Sequence, residues 1–297
     1  MTNKFKILLF LLILTLGITS CVDQSGPQAE REIKPTGEYN KIVATSMAVT
    51  DICDKLELDL VGVPSSNIST VPKRYEGIQK VGMAMTPDME IIKGLDPDMV
   101  LSPVSLISDL LPKYENLKLK YGFLNLNNVD GMYKSIEDMG KLFGKEEQAN
   151  QLLKEYKEFM EPYQKRIEGK SKPKVLLLMG LPGSYIVATP NSYVGDLVRL
   201  AGGENVYSDS DQQFININVE DMLEKDPDII LRTAHALPED VMEMFAKEFE
   251  QNDTWKHFRA VKEGKVKDLN YDRFGMSAKF NYTEALKDLE EIFNENR

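Results

Sequence analysis

Short apolar runs alternate with longer amphipathic stretches along most of the chain. Apolar residues recur at the three- and four-residue spacing of helices in Met47–Lys55, Asp88–Gly94, Leu106–Tyr114, Gly131–Phe143, Glu146–Glu168, Tyr193–Ala201, Val219–Glu224, Glu239–Gln251, Thr254–Ala260 and Tyr282–Asn294. Short apolar runs typical of buried strands are Lys41–Ala44, Leu60–Val63, Met99–Ser102, Lys174–Met179, Ile229–Arg232 and Val266–Leu269. This alternation predicts an α/β fold whose central sheets are mostly parallel and carry helices on their faces.

One pattern occurs twice, about 130 residues apart. Met89–Leu101 and Val219–Leu231 each contain an amphipathic helix, an Asp-Pro-Asp stop and a buried strand, because Pro ends a helix and the apolar run follows it. A second echo pairs the helix before Leu60 with Tyr193–Leu200, each followed by a strand that contains Val. The repeat predicts two similar α/β lobes.

The two predicted lobes cover residues 38–145 and 171–297 and are joined by one long backbone helix within 146–170. Pro162 is expected to bend or divide that helix. Ligands of open α/β sheets bind outside the carboxyl ends of the strands, so we expect a ligand cleft between the lobes.

The first residues have the features of a lipoprotein signal. Lys4 and Lys6 precede the apolar run Ile7–Leu16, which is too short to span a bilayer. Small residues then lead to Cys21, which predicts a signal peptide over 1–20 and a diacylglyceryl anchor on Cys21. Residues 22–37 have little apolar content, which predicts a flexible tether and not a folded segment. The domain is therefore expected at the outer face of the cytoplasmic membrane, in a Gram-positive cell.

Charge and cysteine content narrow the function. The net charge of −11 argues against nucleic acid, because phosphate contacts need a basic surface. Cys53 is the only cysteine besides Cys21 and is interpreted as a small buried residue. A surface enzyme on this fold is a further alternative, but the chain has no nucleophile elbow of the Gly-x-Ser-x-Gly type.

Two loops carry candidate metal ligands, one before the first repeat helix and one after a predicted strand. Gly82–Pro87 contains Met83 and Met85, and His235 follows the strand Ile229–Arg232. The chain has only two histidines, which is too few for a typical zinc-capturing site. Haem iron, in contrast, needs only two protein ligands, because the porphyrin fills the other four positions. One Met and one His are a known axial pair. The second histidine, His257, is interpreted as structural.

From about Tyr39 to the C-terminus, the chain resembles a known family, the helical-backbone substrate-binding lipoproteins of ABC importers for haem, siderophores and corrinoids. Within this family it most resembles the haem receptors. The most specific segments are Leu178–Thr189, Gly195–Val198, Ala201–Val206 and Gln251–Phe258. The resemblance implies a receptor for haem b (iron protoporphyrin IX) and not an enzyme.

The resemblance also implies particular site residues. The family motif Gly-x-x-Met-x-Pro selects Met85 as an axial ligand, with Met83 as a rival, and His235 as the other. Ligand contacts fall on Met47, Ala48, Ser66 and Asn67, although the family usually has Val at the first and Tyr at the last of these positions. Acids that dock on arginines of the permease fall on the equivalent repeat positions Glu90 and Glu220.

The partners implied by the resemblance are an ABC permease with its ATPase and a cell-surface haem donor protein, and the receptor is expected to be a monomer. A ferric-siderophore or corrinoid receptor on the same scaffold is the alternative. Tyr185, Tyr271 and Arg273 keep this alternative open, because siderophore sites favour Arg, Tyr and Trp.

Overall fold

The computed structural model describes residues 39–295, so the predicted signal peptide, Cys21 anchor and tether lie outside the described residues. The strands are β1 (Ile42–Ala44), β2 (Leu60–Val63), β3 (Gln79–Lys80), β4 (Gly82–Met83), β5 (Thr86–Pro87), β6 (Met99–Pro103), β7 (Tyr121–Leu124), β8 (Lys174–Leu181), β9 (Ser184–Ala188), β10 (Glu204–Asn205), β11 (Phe214–Ile215), β12 (Ile229–Ala234) and β13 (Val266–Asp268).

The helices connect these strands and cover the sheets. They are α1 (Met47–Lys55), α2 (Met89–Gly94), α3 (Ile107–Asn116), α4 (Val129–Phe143), α5 (Glu146–Ile167), α6 (Tyr193–Leu200), α7 (Val219–Glu224), α8 (Pro238–Gln251), α9 (Arg259–Lys262) and α10 (Tyr282–Glu295). Short 3-10 helices occupy Lys73–Tyr75, Val104–Leu106 and Asp253–His257. Within residues 39–295, no helix combines the length and the apolar character needed to cross a bilayer.

Two main sheets confirm the predicted α/β class. The first has the order β3-β2-β1-β6-β7, and all its strand pairs are parallel. In the second, β8 pairs with β10 and β12 in parallel, and β13 extends the sheet beside β12. The strands β9 and β11 add an antiparallel edge. Each sheet therefore presents the loops after its parallel strands at one common edge.

The sequence repeat is also a structural repeat. In the first sheet, Asp98 accepts a hydrogen bond from the backbone N–H of Lys41 at 2.9 Å. In the second, Asp228 accepts from the backbone N–H of Lys174 at 2.8 Å. Lys41 and Lys174 precede or begin the central strands β1 and β8. The last Asp of each Asp-Pro-Asp thus ties the entering strand to the central strand of its sheet.

Helices α4, α5, α6 and α10 join the two sheets through a common core. One hydrophobic cluster contains Ile42 and Leu101 of the first sheet together with Val175 and Leu231 of the second. The backbone N–H of Val129 also donates to Asp196 at 2.9 Å, which ties the start of α4 to α6. These contacts resist separation of the halves. The lobe boundaries 38–145, 146–170 and 171–297 stay predictions.

Two local patterns did not have the predicted result. Pro162 does not divide α5, which is a single helix, and a bend at this residue stays a prediction. The carbonyl that loses its helical donor belongs to Glu158, on the exposed face. The segment Thr254–Ala260 is not one helix, because Phe258 is extended (ψ 132°) between the 3-10 helix and α9. The Phe258 and Trp255 rings are fully buried and stack with centroids 4.7 Å apart, so tertiary packing overrides the helical pattern.

Candidate functional site

The predicted ligand-binding residues lie in loops or at a helix start, in segments that follow parallel strands. Met47 and Ala48 follow β1, and Ser66 and Asn67 follow β2. The Met-bearing hairpin of β4 and β5 follows β3 in the same sheet, and His235 follows β12 in the second sheet. Both sheets therefore contribute candidate residues, as a cleft between them requires.

The start of α1 offers unpaired backbone donors to an anion. Ser46 is the N-cap, and its hydroxyl accepts from the N–H of Val49 at 3.3 Å. The first turn contains no acid, so the positive end of the helix is not neutralised locally. Met47 is half-buried and Ala48 is buried at this end. A carboxylate from a ligand is the type of group that such a helix start stabilises.

Met47 and Ser66 come together in one cavity of about 590 Å³. The Ser66 hydroxyl accepts from the N–H groups of Ile68 and Ser69, each at 3.2 Å. This local turn fixes the loop and leaves Asn67 exposed at its bend. The cavity thus has a helix start on one side and a polar turn on the other.

The Met-bearing hairpin depends on a glycine. Gly82 has φ +92°, and a Cβ there would lie 2.9 Å from both the Thr86 carbonyl oxygen and the Asp88 nitrogen. Only glycine fits this close approach without strain. Met83 pairs with Thr86, and Met85 lies in the turn between the two strands. Met83 and Met85 are 49% and 60% exposed, so both thioethers are accessible to a ligand.

His235 lies where strand pairing ends in the second sheet. Its N–H donates to the Gly180 carbonyl at 3.0 Å, which fixes the backbone of the loop, and its side chain is half-buried. Burial lowers the pKa of His235, since removing the ring from water disfavours the imidazolium. A neutral imidazole has the free lone pair that a metal ligand needs. His257, in contrast, is exposed on its 3-10 helix.

Exposed apolar side chains concentrate around these loops. Six large apolar side chains among residues 39–295 are exposed in segments that follow β2, β3, β6, β12 or β13. We call this set the cleft rim: Ile68, Met83, Met85, Ile107, Leu237 and Tyr271. In residues 39–295, the only other exposed large apolar side chain is that of Tyr121, at the start of β7. The sequence prediction missed Ile68, Ile107 and Leu237, although apolar residues in loops after strands were a usable signal. An accessible apolar rim is suited to an apolar ligand.

Residues 39–295 contain no group of three or more His, Cys, Asp or Glu side chains that could hold a metal ion. Cys53 is fully buried, as predicted, and burial raises its pKa. A ligand that brings its own metal-binding nitrogens needs only two further donors from the protein. The Met-bearing hairpin and the His235 loop offer donors of this kind.

Glu90 and Glu220 occupy equivalent positions in the repeat. Each is in the first turn of its helix, α2 or α7, after an N-cap whose side chain accepts from the helix start. Both side chains are exposed. The structure thus presents one acid from each half in the same local setting.

Asp51 lies one turn into α1, beside a second cavity of about 250 Å³ that Met47, Asp54 and Lys279 also line. Burial raises the pKa of Asp51 to about 6, against the opposing effect of Lys279. The ionised carboxylate is therefore costly to bury, and the folded state is less stable at pH values at which Asp51 is ionised.

We expect Asp51→Asn to stabilise the protein at pH 7 but not below pH 4. The folded pKa of about 6 is above the ordinary value of 3.8, so the cost of the carboxylate grows as the pH rises from about 4 to 6 and is then constant. The gain is at most about 3 kcal/mol, since one pKa unit corresponds to about 1.4 kcal/mol. Urea unfolding of both proteins at pH 4 and pH 7 measures it. An equal difference at both pH values would contradict the expectation.

Two halves with mostly parallel sheets, a common helical core and accessible loops at the carboxyl ends of the strands are typical of the class of two-lobed ligand-binding proteins. The chain belongs to the periplasmic binding protein family, whose model matches residues 42–272.

Relatives within this class extend over nearly the whole chain. The "High-affinity heme uptake system protein IsdE" of Staphylococcus aureus (strain bovine RF122 / ET3-1) is 42% identical over 98% of both chains. The crystal structure of S. aureus IsdE complexed with heme is 43% identical, with a TM-score of 0.82, and covers 86% of this chain and 99% of its own. An ABC transporter substrate-binding protein from Listeria monocytogenes EGD-e is 46% identical, with a TM-score of 0.81, over 86% and 98% of the two chains.

Proposed function

We propose that this protein is a receptor that captures haem and delivers it to an ABC permease for iron acquisition. The observation that carries the proposal is the cleft rim, whose exposed apolar side chains lie in segments after strands of both sheets. These segments offer thioethers from one half and a half-buried imidazole from the other. Haem has the same combination, an apolar macrocycle around an iron with two open axial positions. The likeness to a heme uptake protein over 98% of the chain supports it.

Met85 and His235 are the proposed axial ligands of the iron. Thioether and imidazole are a known axial pair for haem iron, and the porphyrin supplies the remaining four nitrogens. The lowered pKa of His235 favours the ligand-competent neutral ring. The haem is cargo, and no bond within it changes during transport.

The haem propionates are proposed to bind at the α1 end of the cleft. The N–H groups of Met47 and Ala48 face no acid in the first turn of α1. The turn that contains Ser66 and Asn67 adds polar groups at the same cavity, which Met47 also lines. Carboxylates at one edge and iron ligands on both sides would fix the orientation of the macrocycle.

Delivery is proposed to use Glu90 and Glu220 as symmetric docking acids. A permease with two-fold symmetry presents two equivalent basic sites, and the repeat offers one exposed acid to each. ATP hydrolysis by the partner ATPase then drives uptake. A lipid anchor on Cys21 would keep the receptor near the permease and raise its effective concentration there. A cell-surface donor protein would supply the haem.

Met85→Ala is expected to weaken hemin binding by about tenfold or more, because one axial bond to iron is lost. The matched control is Met83→Ala, which trims a similarly exposed thioether of the same hairpin and is expected to change affinity less than threefold, a small effect in free energy. Equilibrium titration followed by absorbance measures both. A larger loss in Met83→Ala than in Met85→Ala would transfer the role to Met83.

A ferric-siderophore or corrinoid receptor is the alternative function. Its candidate residues are partly engaged within the protein: Arg273 pairs with Asp288 at 2.5 Å, and the Tyr185 hydroxyl donates to Glu248 at 3.2 Å. Haem is therefore favoured. Competition decides between them: a ferric siderophore or a corrinoid in tenfold excess should leave bound hemin in place. Displacement by either would reassign the ligand.

A further inference from the structure

Leu237 has an unusual backbone conformation for its residue type. It lies two residues after His235 with φ +43° and ψ +61°, in the left-handed region. An L-residue with a side chain is unfavourable there, because Cβ comes too close to the following carbonyl oxygen. Leu237 is also 55% exposed, so burial of its side chain within the protein does not explain its presence.

The other left-handed residues have an ordinary explanation. Within residues 39–295, the non-glycine residues with positive φ are Glu57, Asp96, Lys118, Asp226 and Leu237. The first four are polar and lie between a helix end and the strand that follows it, at the amino ends of β2, β6, β7 and β12. Left-handed residues commonly end helices. Leu237 is apolar, lies at the carboxyl end of β12, and precedes a helix.

Leu237 is also a poor residue for its position as N-cap of α8. Its carbonyl accepts from Val241 at 3.0 Å, but its side chain caps no helical N–H group. Asn, Asp, Ser or Gly are the residues preferred at an N-cap, and Asn or Gly would also suit the left-handed conformation. Local structure thus favours another residue on two grounds. Backbone outliers of this kind cluster at ligand sites, where another interaction compensates for them.

We infer that Leu237 is a ligand contact whose side chain covers the apolar macrocycle beside His235 and slows its release. This inference rests on the proposed function and adds a residue to the site. Leu237 belongs to the cleft rim, and the loop that carries it is the loop that carries His235. Covering an exposed leucine with an apolar ligand removes both surfaces from water, which stabilises the complex.

The test measures hemin release and the stability of the ligand-free protein in three variants. Leu237→Ala removes the apolar side chain but keeps the Cβ, whereas Leu237→Gly removes both. Glu57→Gly is the matched control, since Glu57 has a similar φ of 55° but lies at the amino end of β2. Release is followed by transfer of hemin to excess apomyoglobin, and stability by thermal unfolding without ligand.

Both Leu237 variants are expected to release hemin about tenfold faster than the wild type, as the loss of a large apolar contact predicts. Glu57→Gly should release hemin at the wild-type rate. Without ligand, Leu237→Gly should unfold at a higher temperature than the wild type or Leu237→Ala, because glycine tolerates the left-handed conformation.

A release rate of Leu237→Ala within twofold of the wild type would overturn the inference while leaving the proposed function intact. Lack of hemin binding by the wild type would instead refute the proposed function itself. Faster release in Glu57→Gly as well would also overturn the inference, because the effect would then follow backbone strain anywhere in the fold and not contact at the cleft.

Discussion

Replacement of His235 by Ala is expected to lower the affinity for hemin by about 100-fold or more and to change the position of the Soret band. The side chain would supply the nitrogen ligand of the iron, and its loss leaves an axial position to water or to a weaker donor. Burial favours the neutral imidazole, which is the form that could bind a metal. Titration with hemin, followed by absorbance, gives both affinity and band position.

His257→Ala is the matched control, because it removes the other histidine of the chain from an exposed position outside the cleft rim. Its spectrum and affinity should equal those of the wild type. If His235→Ala binds hemin with the wild-type spectrum, His235 is not an axial ligand. If His257→Ala loses the band, the ligand assignment belongs to His257.

The double replacement Glu90→Lys and Glu220→Lys is expected to abolish haem uptake while hemin binding is unchanged. Each substitution would turn the proposed attraction to a basic permease surface into a repulsion, and like charges at an interface are strongly unfavourable. Both positions are exposed first-turn residues, so the fold should tolerate the change. Uptake of labelled haem by cells that depend on this receptor measures the effect, and each single variant should lose part of the uptake.

Glu147→Lys is the control for helix effects, because Glu147 is also an exposed acid in the first turn of a helix, α5. It should carry the same small penalty from the helix dipole and retain uptake. Wild-type uptake in the double variant would remove both acids from the docking surface. Loss of hemin binding in that variant would show that these acids act at the ligand site and not in docking.

The repeat was the most informative feature of the sequence. Asp-Pro-Asp marks both helix ends unambiguously, and the structure gives the last Asp of each copy a specific role, since Asp98 and Asp228 bind the backbone at the central strands. The same short motif ends a helix and binds a strand that is distant in the sequence. A local pattern therefore predicted the architecture. The positions of the candidate loops followed from the same reasoning, because the carboxyl ends of parallel strands share one edge.

Elements defined by tertiary packing were less predictable. The strand β9 pairs antiparallel with β8 through a tight turn at Pro182 and Gly183, and this Pro-Gly pair is a turn signal in the sequence. The break at Phe258 left no local signal, because Phe and Trp fit a helical spacing equally well and only burial of both rings requires the extended residue. Edge strands as short as β3 and β10 have too few residues for any periodicity.

The candidate site shows a similar division. Residue types and loop positions indicated a Met-bearing loop and His235, and the resemblance to the family selected Met85. Nothing in the sequence distinguishes an exposed leucine in a left-handed conformation from a buried one. Leu237 became apparent only from its backbone angles and exposure. Likewise, the raised pKa of Asp51 depends on burial that the sequence of α1 does not reveal.

The central claim, that this protein binds haem between its halves, is tested most directly by adding hemin to the purified wild-type domain and recording its absorbance spectrum. The account predicts saturation at one hemin per protein, with a Soret band and visible bands typical of iron with two protein ligands. A spectrum that stays that of free hemin throughout the titration, or continued uptake without a stoichiometric end point, would contradict it.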